Sequence, residues 1–133
     1  MGEVVKFEST GTVFRLRELV GGNGRGVISG WLVSYPGARA RFRIRVKGLR
    51  SIPRSDWNIK QFRPLGGGIF EIKWESDKKQ WRALGFDHEG YFLLVLGCTH
   101  KGNVYVPADC IATAKKRKAE ATSGEWGTAD YEP

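Results

Sequence analysis

Hydrophobic and polar residues alternate most regularly in the second half of the chain. Residues 69–75 have a period of two, which is typical of a half-exposed β-strand. After the turn SDKKQ, residues 81–87 form a second candidate strand, and residues 91–97 form a third that is apolar on both faces. The pattern predicts an antiparallel meander whose third strand is central or covered. The first strand carries Phe70, Ile72 and Trp74 on one face and Glu71, Lys73 and Glu75 on the other.

A helix is predicted after the meander. Pro107 suits the first helical position, and Asp109 places an acid in the first turn, where the helix dipole favours negative charge. The helix continues through ADCIATAKKRKA and ends in a run of four bases, Lys115, Lys116, Arg117 and Lys118.

The segment ARARFRIRVKGL, residues 38–49, fits two periods. As a strand it alternates without a break, with five bases on one face. As a helix it leaves Ile44 outside an apolar stripe of Ala38, Phe42, Val46 and Leu49. Five like charges on one strand face would repel, and Pro36 and Gly48 suit the start and end of a helix. The helix is therefore favoured, and its basic stripe is Arg39, Arg43, Lys47 and Arg50.

The N-terminal part predicts a hairpin and a loop. VVKFE and VFRLREL flank the turn residues Ser9, Thr10 and Gly11. The glycine-rich GGNGRG that follows lacks the terminal Lys-Ser/Thr pair of a P-loop and the acidic residue of a dinucleotide-binding unit. A plain connecting loop is favoured over a phosphate site.

Composition narrows the class of protein. The 133 residues are 41% hydrophobic, which fits one compact domain. The longest apolar run, residues 91–96, is far shorter than the roughly 18–20 residues of a membrane span. The N-terminus has no secretory or myristoylation pattern, and Cys98 and Cys110 lie among apolar neighbours without ligand spacing. We expect a cytoplasmic protein with reduced cysteines, no metal and no membrane partner.

The charge is unevenly distributed. Residues 120–133 carry four acids and no base, so the first 119 residues hold 22 bases against 10 acids, a net charge of +12. A field of that sign favours polyanions such as nucleic acid, or an acidic partner. The acidic segment 120–133 has little apolar surface apart from Trp126 and Tyr131, and it is predicted to be a flexible tail.

Familiar catalytic motifs are nearly absent. The chain has no HExxH, no GxSxG and no pair of CxxC motifs, so neither metal nor serine-hydrolase chemistry is expected, and no cofactor is predicted. Of the two histidines, His88 lies in a predicted turn. The other lies in THKGNVYVP, which brings an imidazole, an amine and a phenol together as His100, Lys101 and Tyr105.

Residues 62–120 carry a set of motifs in a fixed order. A leucine and a glycine precede the first meander strand, a Glu-x-Lys lies in it, an arginine opens the second strand, and a lysine follows the third. The last helix has the form P-x-x-x-I-x-x-A. These residues are Leu65, Gly66, Glu71, Lys73, Arg82, Lys101, Pro107, Ile111 and Ala114. Together with ARARFRIRVKGL and Trp57, which look like a second helix and its exit loop, they resemble the RelE/ParE toxin superfamily, in particular its phage-derived, HigB-like branch.

The resemblance covers residues 36–120 and implies an α+β fold. The expected architecture is a small, twisted, mainly antiparallel sheet packed against two N-proximal helices, with a C-terminal helix. A single RelE-like domain is expected at residues 1–119, with residues 1–35 as a diverged extension and 120–133 as the tail. The predicted core is Phe42, Val46, Leu49, Phe70, Ile72, Trp74, Leu84, Phe92, Leu94, Leu96 and Ile111.

Members of this family are toxins of bacterial or phage toxin–antitoxin pairs, and the RelE-like and HigB-like ones cut messenger RNA in the ribosomal A site without a metal. The resemblance implies such an endonuclease here, in which a ribose 2′-OH attacks the adjacent phosphate. Lys73 and Arg82 would stabilise transition-state charge. His100 or Tyr105 would act as base or acid, and Lys101 would hold phosphate. The implied partners are the ribosome, its mRNA and a cognate helix-turn-helix antitoxin.

Departures from the family pattern leave alternatives open. Many relatives have arginine where this chain has Lys73, and lysine cannot make a bidentate contact with phosphate. The usual double lysine is here His100-Lys101 or Lys101-Gly102. Lys73 could be an ordinary outward residue of the strand. Arg82 could pair with an internal carboxylate such as Glu71, and Tyr105 could pack under the last helix.

A non-catalytic function is the alternative. Some family members poison gyrase, and a basic phage-type protein could bind nucleic acid or inhibit a host protein through the stripe of Arg39, Arg43, Lys47 and Arg50, which could also be a merely solvated face. Convergence of the four candidate catalytic side chains in one concave site favours the enzyme, and their dispersal favours binding alone.

Overall fold

A computed structural model of the chain describes residues 13–57 and 60–131. Within these ranges the chain forms the predicted α+β fold, with one mixed sheet, two N-proximal helices and a C-terminal helix. The elements are β1 (Leu16–Val20), α1 (Val27–Leu32), α2 (Pro36–Arg50), β2 (Phe62–Gly66), β3 (Ile69–Ser76), β4 (Lys79–His88), β5 (Tyr91–Lys101), β6 (Val104–Val106), α3 (Cys110–Thr122) and β7 (Gly127–Asp130). A short 3₁₀ helix, Arg54–Asp56, lies between α2 and β2.

The sheet is mostly antiparallel. Its strands follow the order β2-β3-β4-β5-β1-β7, and β6 pairs with the far end of β5. The predicted meander is β3, β4 and β5, and β5 is central because β4 pairs on one side of it and β1 on the other. The β1–β5 pair is parallel.

The helical interpretation of ARARFRIRVKGL is confirmed by α2. Pro36 lies in the first turn, where its missing N–H costs no hydrogen bond. Ile44, the apolar residue outside the predicted stripe, is 72% exposed. The helix continues past Gly48 to Arg50, so the glycine does not end it. The buried stripe is the predicted one, Ala38, Phe42, Val46 and Leu49.

The sheet packs a hydrophobic cluster on each face. On one face Phe42 and Val46 of α2 belong to the cluster around Ile72. On the other face Cys110 and Ala114 of α3 pack in a second cluster, and both cysteines are free thiols. The predicted core residues are all buried except for three that are partly buried, Phe70, Leu96 and Ile111. In the described ranges, no helix has the length and apolarity that a membrane crossing needs.

The second face of β3 is not the exposed row that the alternation predicts. Glu71 is fully buried there, because Tyr105 of β6 bonds to it and α3 packs over the same side of the sheet. A period of two identifies two faces of a strand but not which of them is covered. The start of α3 also differs: it begins at Cys110, three residues after the predicted Pro107, and Asp109 precedes it.

The glycine-rich loop connects β1 to α1, and the start of α1 lies against a carboxylate of the protein itself. Glu18 of β1 is buried and accepts hydrogen bonds from the N–H groups of Ile28 and Ser29 at 2.8 and 2.9 Å, and from the Ser29 hydroxyl. A β-carbon at Gly26 would overlap the Glu18 carboxylate, so this position needs glycine. The first strand of the predicted N-terminal hairpin lies outside the described residues. The second contains β1, which pairs with β5 and β7.

The prediction of a flexible tail is wrong for residues 120–131. The helix α3 extends to Thr122, and β7 pairs antiparallel with β1 at the edge of the sheet. Tyr131 is buried, with its ring centroid 5.3 Å from that of Phe42 and its N–H donating to Leu16 O at 3.0 Å. Composition underestimates the order of this segment, because its backbone partners belong to β1 at the other end of the chain.

The substitution Asp130→Asn is expected to have a small and pH-dependent effect on stability. Hydrogen bonds from Arg15 at 2.7 Å and Arg17 at 2.8 Å lower the pKa of the Asp130 carboxyl. The charged form therefore stabilises the fold at neutral pH, and this contribution is lost as the pH falls through the lowered pKa. Because the carboxylate is 43% exposed, solvent screening limits the loss to about 0.5 kcal/mol. Urea unfolding should show a lower free energy of unfolding for the variant than for the wild type near neutral pH, and no difference in strong acid. An equal difference at both pH values would contradict the prediction.

Candidate functional site

The residues that the resemblance assigns to catalysis lie on four neighbouring strands. Lys73 of β3 is the register partner of Arg82 on β4, and His100 of β5 is the partner of Tyr105 on β6. Register partners point to the same side of a sheet. Cys98, two residues before His100, is opposite Arg82, so all four side chains share the face that α3 partly covers.

Glu71 is the centre of a polar cluster on this face. We call Arg63, Glu71, Gln80, Arg82, His100 and Tyr105 the Glu71 cluster. The Glu71 side chain is 1% exposed and accepts hydrogen bonds from Arg63 Nε at 2.6 Å and from the Tyr105 hydroxyl. Arg82 Nε forms an ion pair with it at 3.5 Å, which confirms the interpretation of Arg82 as the partner of an internal carboxylate. The buried negative charge is thus surrounded by donors.

Arg82 is buried and held in a fixed orientation. One terminal nitrogen of its guanidinium donates to Trp81 O at 2.9 Å, and the other donates to Gln80 Oε1 at 3.0 Å. Its Nε has no hydrogen bond within the described residues. The same side chain lines an open groove beside the sheet.

His100 is held next to Arg82. Its Nδ1 lies 3.4 Å from the Arg82 terminal nitrogen and 3.4 Å from Gln80 Oε1. Its ring centroid lies 4.7 Å from that of Tyr105, in an edge-on arrangement. Burial lowers the pKa of His100, and the positive charge of Arg82 lowers it further. The ring is therefore neutral at physiological pH, which is the form that can accept a proton.

The pKa of Tyr105 shifts upward, whereas that of His100 shifts downward. Burial and its hydrogen bond to Glu71 raise the pKa of the Tyr105 hydroxyl. The group is a phenol at neutral pH, and it donates its proton to Glu71 rather than to solvent. It can hold its neighbours in place but cannot act as a base.

A basic groove of about 790 Å³ is lined by residues of α2, β3 and β4. Lys73 and Arg82 line its sheet side, together with Gln80 and Glu75. The bases that line it are Arg41, Arg45, Lys60, Lys73 and Arg82. Burial lowers the pKa of Arg45. The basic groove therefore combines strong positive charge with a concave shape.

The predicted RNA-binding residues lie elsewhere. Lys47 is exposed outside the groove, and Arg50 is partly buried outside it. Arg39 and Arg43 are exposed on the side of α2 that faces Tyr131. Burial and the charge of Glu18 raise the pKa of Tyr131 to about 12, and the charges of the two arginines lower it. Lys101 is exposed at the end of β5, also outside the groove.

Sequence reasoning missed the bases of α2 that line the groove. Arg41 and Arg45 are four residues apart and therefore share a face of the helix, which is a signal that the sequence contains. Gln80 was missed as well, because nothing in its sequence context distinguishes it from an ordinary polar strand residue. Of the four catalytic candidates, Lys73 and Arg82 line the groove, His100 lies behind Gln80 and Arg82, and Tyr105 lies deeper against Glu71.

Metal ligands do not cluster in this part of the molecule. In residues 13–57 and 60–131, no group of three or more His, Cys, Asp and Glu side chains is placed to hold a metal ion.

Comparisons with protein-family models, curated proteins and solved structures found no match to this chain.

Proposed function

We propose that this protein is the toxin of a type II toxin–antitoxin pair and a metal-independent, ribosome-dependent mRNA endonuclease. The observation that carries the proposal is the position of a neutral histidine, His100, beside a buried and oriented arginine, Arg82, at the wall of a basic groove. The α+β architecture also agrees with the one that the RelE/ParE resemblance implies.

The chemistry needs a base, cations and a surface that binds the phosphate backbone, and residues of the site are suited to each role. The bases of the groove attract the phosphate backbone of a single RNA strand. His100 takes the proton of the ribose 2′-OH, and the 2′-oxygen then attacks the adjacent phosphorus. As this bond forms, the bond from phosphorus to the 5′-oxygen of the next nucleotide breaks, which leaves a 2′,3′-cyclic phosphate. The 5′-oxygen takes a proton from solvent water, and His100 later returns its proton to solvent. Lys73 and Arg82 stabilise the negative charge that develops on the phosphorane. Because its phenol is bonded to Glu71, Tyr105 orients the cluster instead of carrying the proton.

The partners follow from the same proposal. The mRNA substrate is presented by the ribosome in the cytoplasm, and a cognate helix-turn-helix antitoxin neutralises the toxin. The strong positive charge of the groove favours both an RNA substrate and an acidic inhibitor segment.

Primer extension on an mRNA translated in a purified system tests the activity. The expected result is new 5′ ends within the translated region when ribosomes are present, with both untreated and EDTA-treated protein, and no cleavage of naked mRNA. Intact message in every arm, with purified and folded protein, would contradict the proposal.

A second candidate function is non-catalytic binding of nucleic acid or of a host protein such as gyrase. The observation that favours it is that Arg82 and Tyr105, two of the catalytic candidates, already bond to other groups of the protein. The terminal nitrogens of Arg82 donate to Trp81 O and Gln80, and the Tyr105 hydroxyl donates to Glu71. Arrested translation or growth with intact message in the assay above would support this candidate.

Removing two bases of the groove is expected to weaken RNA binding more than removing two exposed bases of the same helix. The variant Arg41→Ala/Arg45→Ala changes the groove, and Arg39→Ala/Arg43→Ala is the matched control with the same charge change. For a single strand, each lost phosphate contact lowers the log–log slope of affinity against salt concentration by about 0.7 unit, so the groove variant should lose about 1.4 units. Fluorescence anisotropy with a single-stranded RNA over a salt series measures this. A larger loss in the control would place the RNA on the opposite side of α2.

A further inference from the structure

Ile44 is an exposed apolar residue inside the basic groove. Its side chain is 72% exposed, the largest fraction among the large hydrophobic residues that the structure describes, and it lies outside both hydrophobic clusters. The other apolar residues that line the groove are more covered: Leu49 and Trp74 are buried, and Ile52 is partly buried. Ile44 is therefore the main apolar surface that the groove offers to a ligand.

Gly48 follows Ile44 by one helical turn and also lines the groove. Glycine is less stable than alanine within a helix, because it loses more conformational freedom on folding. Neither a turn nor packing requires glycine here. Its φ is not positive, α2 continues to Arg50, and a β-carbon at this position would meet no atom within 4 Å. The fold alone does not explain this glycine.

The missing side chain leaves one side of Ile44 open. Helical side chains lean toward the N-terminus, so a side chain at position 48 would extend over the turn that carries Ile44. With glycine there, the Ile44 side chain and the bare backbone of Gly48 form a small apolar depression, which we call the α2 notch. Arg41 and Arg45 lie three residues before Ile44 and Gly48, respectively, and line the same groove.

An apolar notch beside two arginines matches a single strand of RNA. The arginines attract phosphates, and an unpaired base presents a flat apolar face next to its phosphate. A double helix keeps the faces of its bases stacked on one another, and inorganic polyphosphate has no such face. Charge alone would not distinguish these polyanions, whereas the α2 notch does.

We propose that the α2 notch is a base-binding subsite, in which one unstacked RNA base packs on the Ile44 side chain over the bare backbone of Gly48. Arg41 and Arg45 bind the phosphates on either side of that base. The choice of RNA as the ligand rests on the proposed function, but the subsite requires only binding and not cleavage.

Fluorescence anisotropy with two single-stranded probes tests the α2 notch. One probe is a short RNA, and the other has the same ribose-phosphate backbone with its bases removed. Wild type should bind the RNA about tenfold more tightly than the abasic probe, because packing a base on Ile44 removes apolar surface from water. A groove that binds by charge alone would bind both probes equally, since their phosphates are the same.

Ile44→Gln removes the apolar contact without a change of charge. It should lower the affinity for RNA by about fivefold, leave the affinity for the abasic probe unchanged, and keep the salt dependence of the wild type. Val33→Gln is the matched control, because Val33 is 55% exposed and lies outside the groove. Both replacements are on the surface, so both variants should stay folded.

Gly48→Gln tests the open side of Ile44. Glutamine favours a helix more than glycine does, so the Tm should rise by about 2–4 °C. The new side chain covers Ile44, so the affinity for RNA should fall toward that for the abasic probe. A purely structural glycine would not combine higher stability with weaker binding.

Three results would overturn the proposal: equal affinity of wild type for the two probes, unchanged RNA affinity in Ile44→Gln, or unchanged RNA affinity in Gly48→Gln. Wild type that binds a poly-glutamate peptide and neither probe would assign the groove to an acidic protein partner and would overturn it as well. The cleavage assay separates this question from the proposed function. Intact message with base-dependent binding would contradict the endonuclease and support the subsite, and cleavage with equal affinity for the two probes would do the reverse.

Discussion

Replacing Glu71 by alanine is expected to lower the free energy of unfolding by about 3–5 kcal/mol, because it breaks a buried ionic network from its centre. The carboxylate is 1% exposed and neutralises Arg82, whose side chain is 8% exposed. Without it, the guanidinium of Arg82 and the hydroxyl of Tyr105 would stay buried with fewer partners. Desolvated groups that lose their partner cost more than the net strength of the lost bond.

Glu75→Ala is the matched control, because it removes the same side chain four residues away on the same strand, where it is exposed. A surface substitution of this kind should change stability by about 0.5 kcal/mol or less. Urea unfolding of both variants measures the difference. Equal stability of the two variants would show that the Glu71 charge is not needed. Glu71→Gln, which keeps the shape and one acceptor, should fall between them.

Helices α2 and α3 and the meander could be predicted from the sequence because their signals are local. The four-residue spacing from Ala38 to Phe42 to Val46 places these residues on one face of a helix, and α2 buries that face. The alternation along residues 69–75 likewise identifies β3. What the pattern cannot contain is the neighbour on each side of an element. The burial of Glu71 depends on Tyr105, 34 residues later in the chain.

The C-terminal segment shows the same limit more strongly. Its composition is polar and acidic, which is why it was predicted to be loose. It is ordered by partners that are more than 100 residues away: Arg17 bonds to Asp130 and to Thr128, and the Tyr131 N–H donates to Leu16 O. Among the acids of this segment, Asp130 therefore pairs with an arginine at one edge of the sheet. That edge lies opposite the edge formed by β2 and β3.

The candidate site was predictable in its chemistry and not in its shape. The resemblance selected Lys73, Arg82, His100 and Tyr105, and these lie on one face of the sheet. The basic stripe predicted on α2 does not line the groove. Both flanks of this helix are basic, so the sequence does not show which of them lines it. Packing against β3 decides which flank lines a concave surface, and it selects Arg41 and Arg45.

Replacing His100 by alanine is expected to lower ribosome-dependent mRNA cleavage by about 100-fold or more, which is the range for loss of a general base. The ring is half-buried and contributes no backbone contact that alanine would lose, so the variant should stay folded. Primer extension under single-turnover conditions measures the rate, with circular dichroism as the check on folding. His88→Ala is the matched control, because His88 lies at the β4–β5 turn, where it contacts Glu89, Phe86 and Tyr91 and not the groove.

The pH profile of the wild type gives the proposal its strictest test. A general base must be unprotonated, so the cleavage rate should rise with pH through the pKa of His100 and be constant above it. Because burial and Arg82 lower that pKa, the rise should lie below 6.5, the ordinary value for histidine, and activity should be full at neutral pH. The residual activity of His100→Ala should lack this rise, while Lys73→Ala should lower the rate and keep it. A rise in the same place in His100→Ala would assign the titrating group to another residue and would leave His100 with no role as the base.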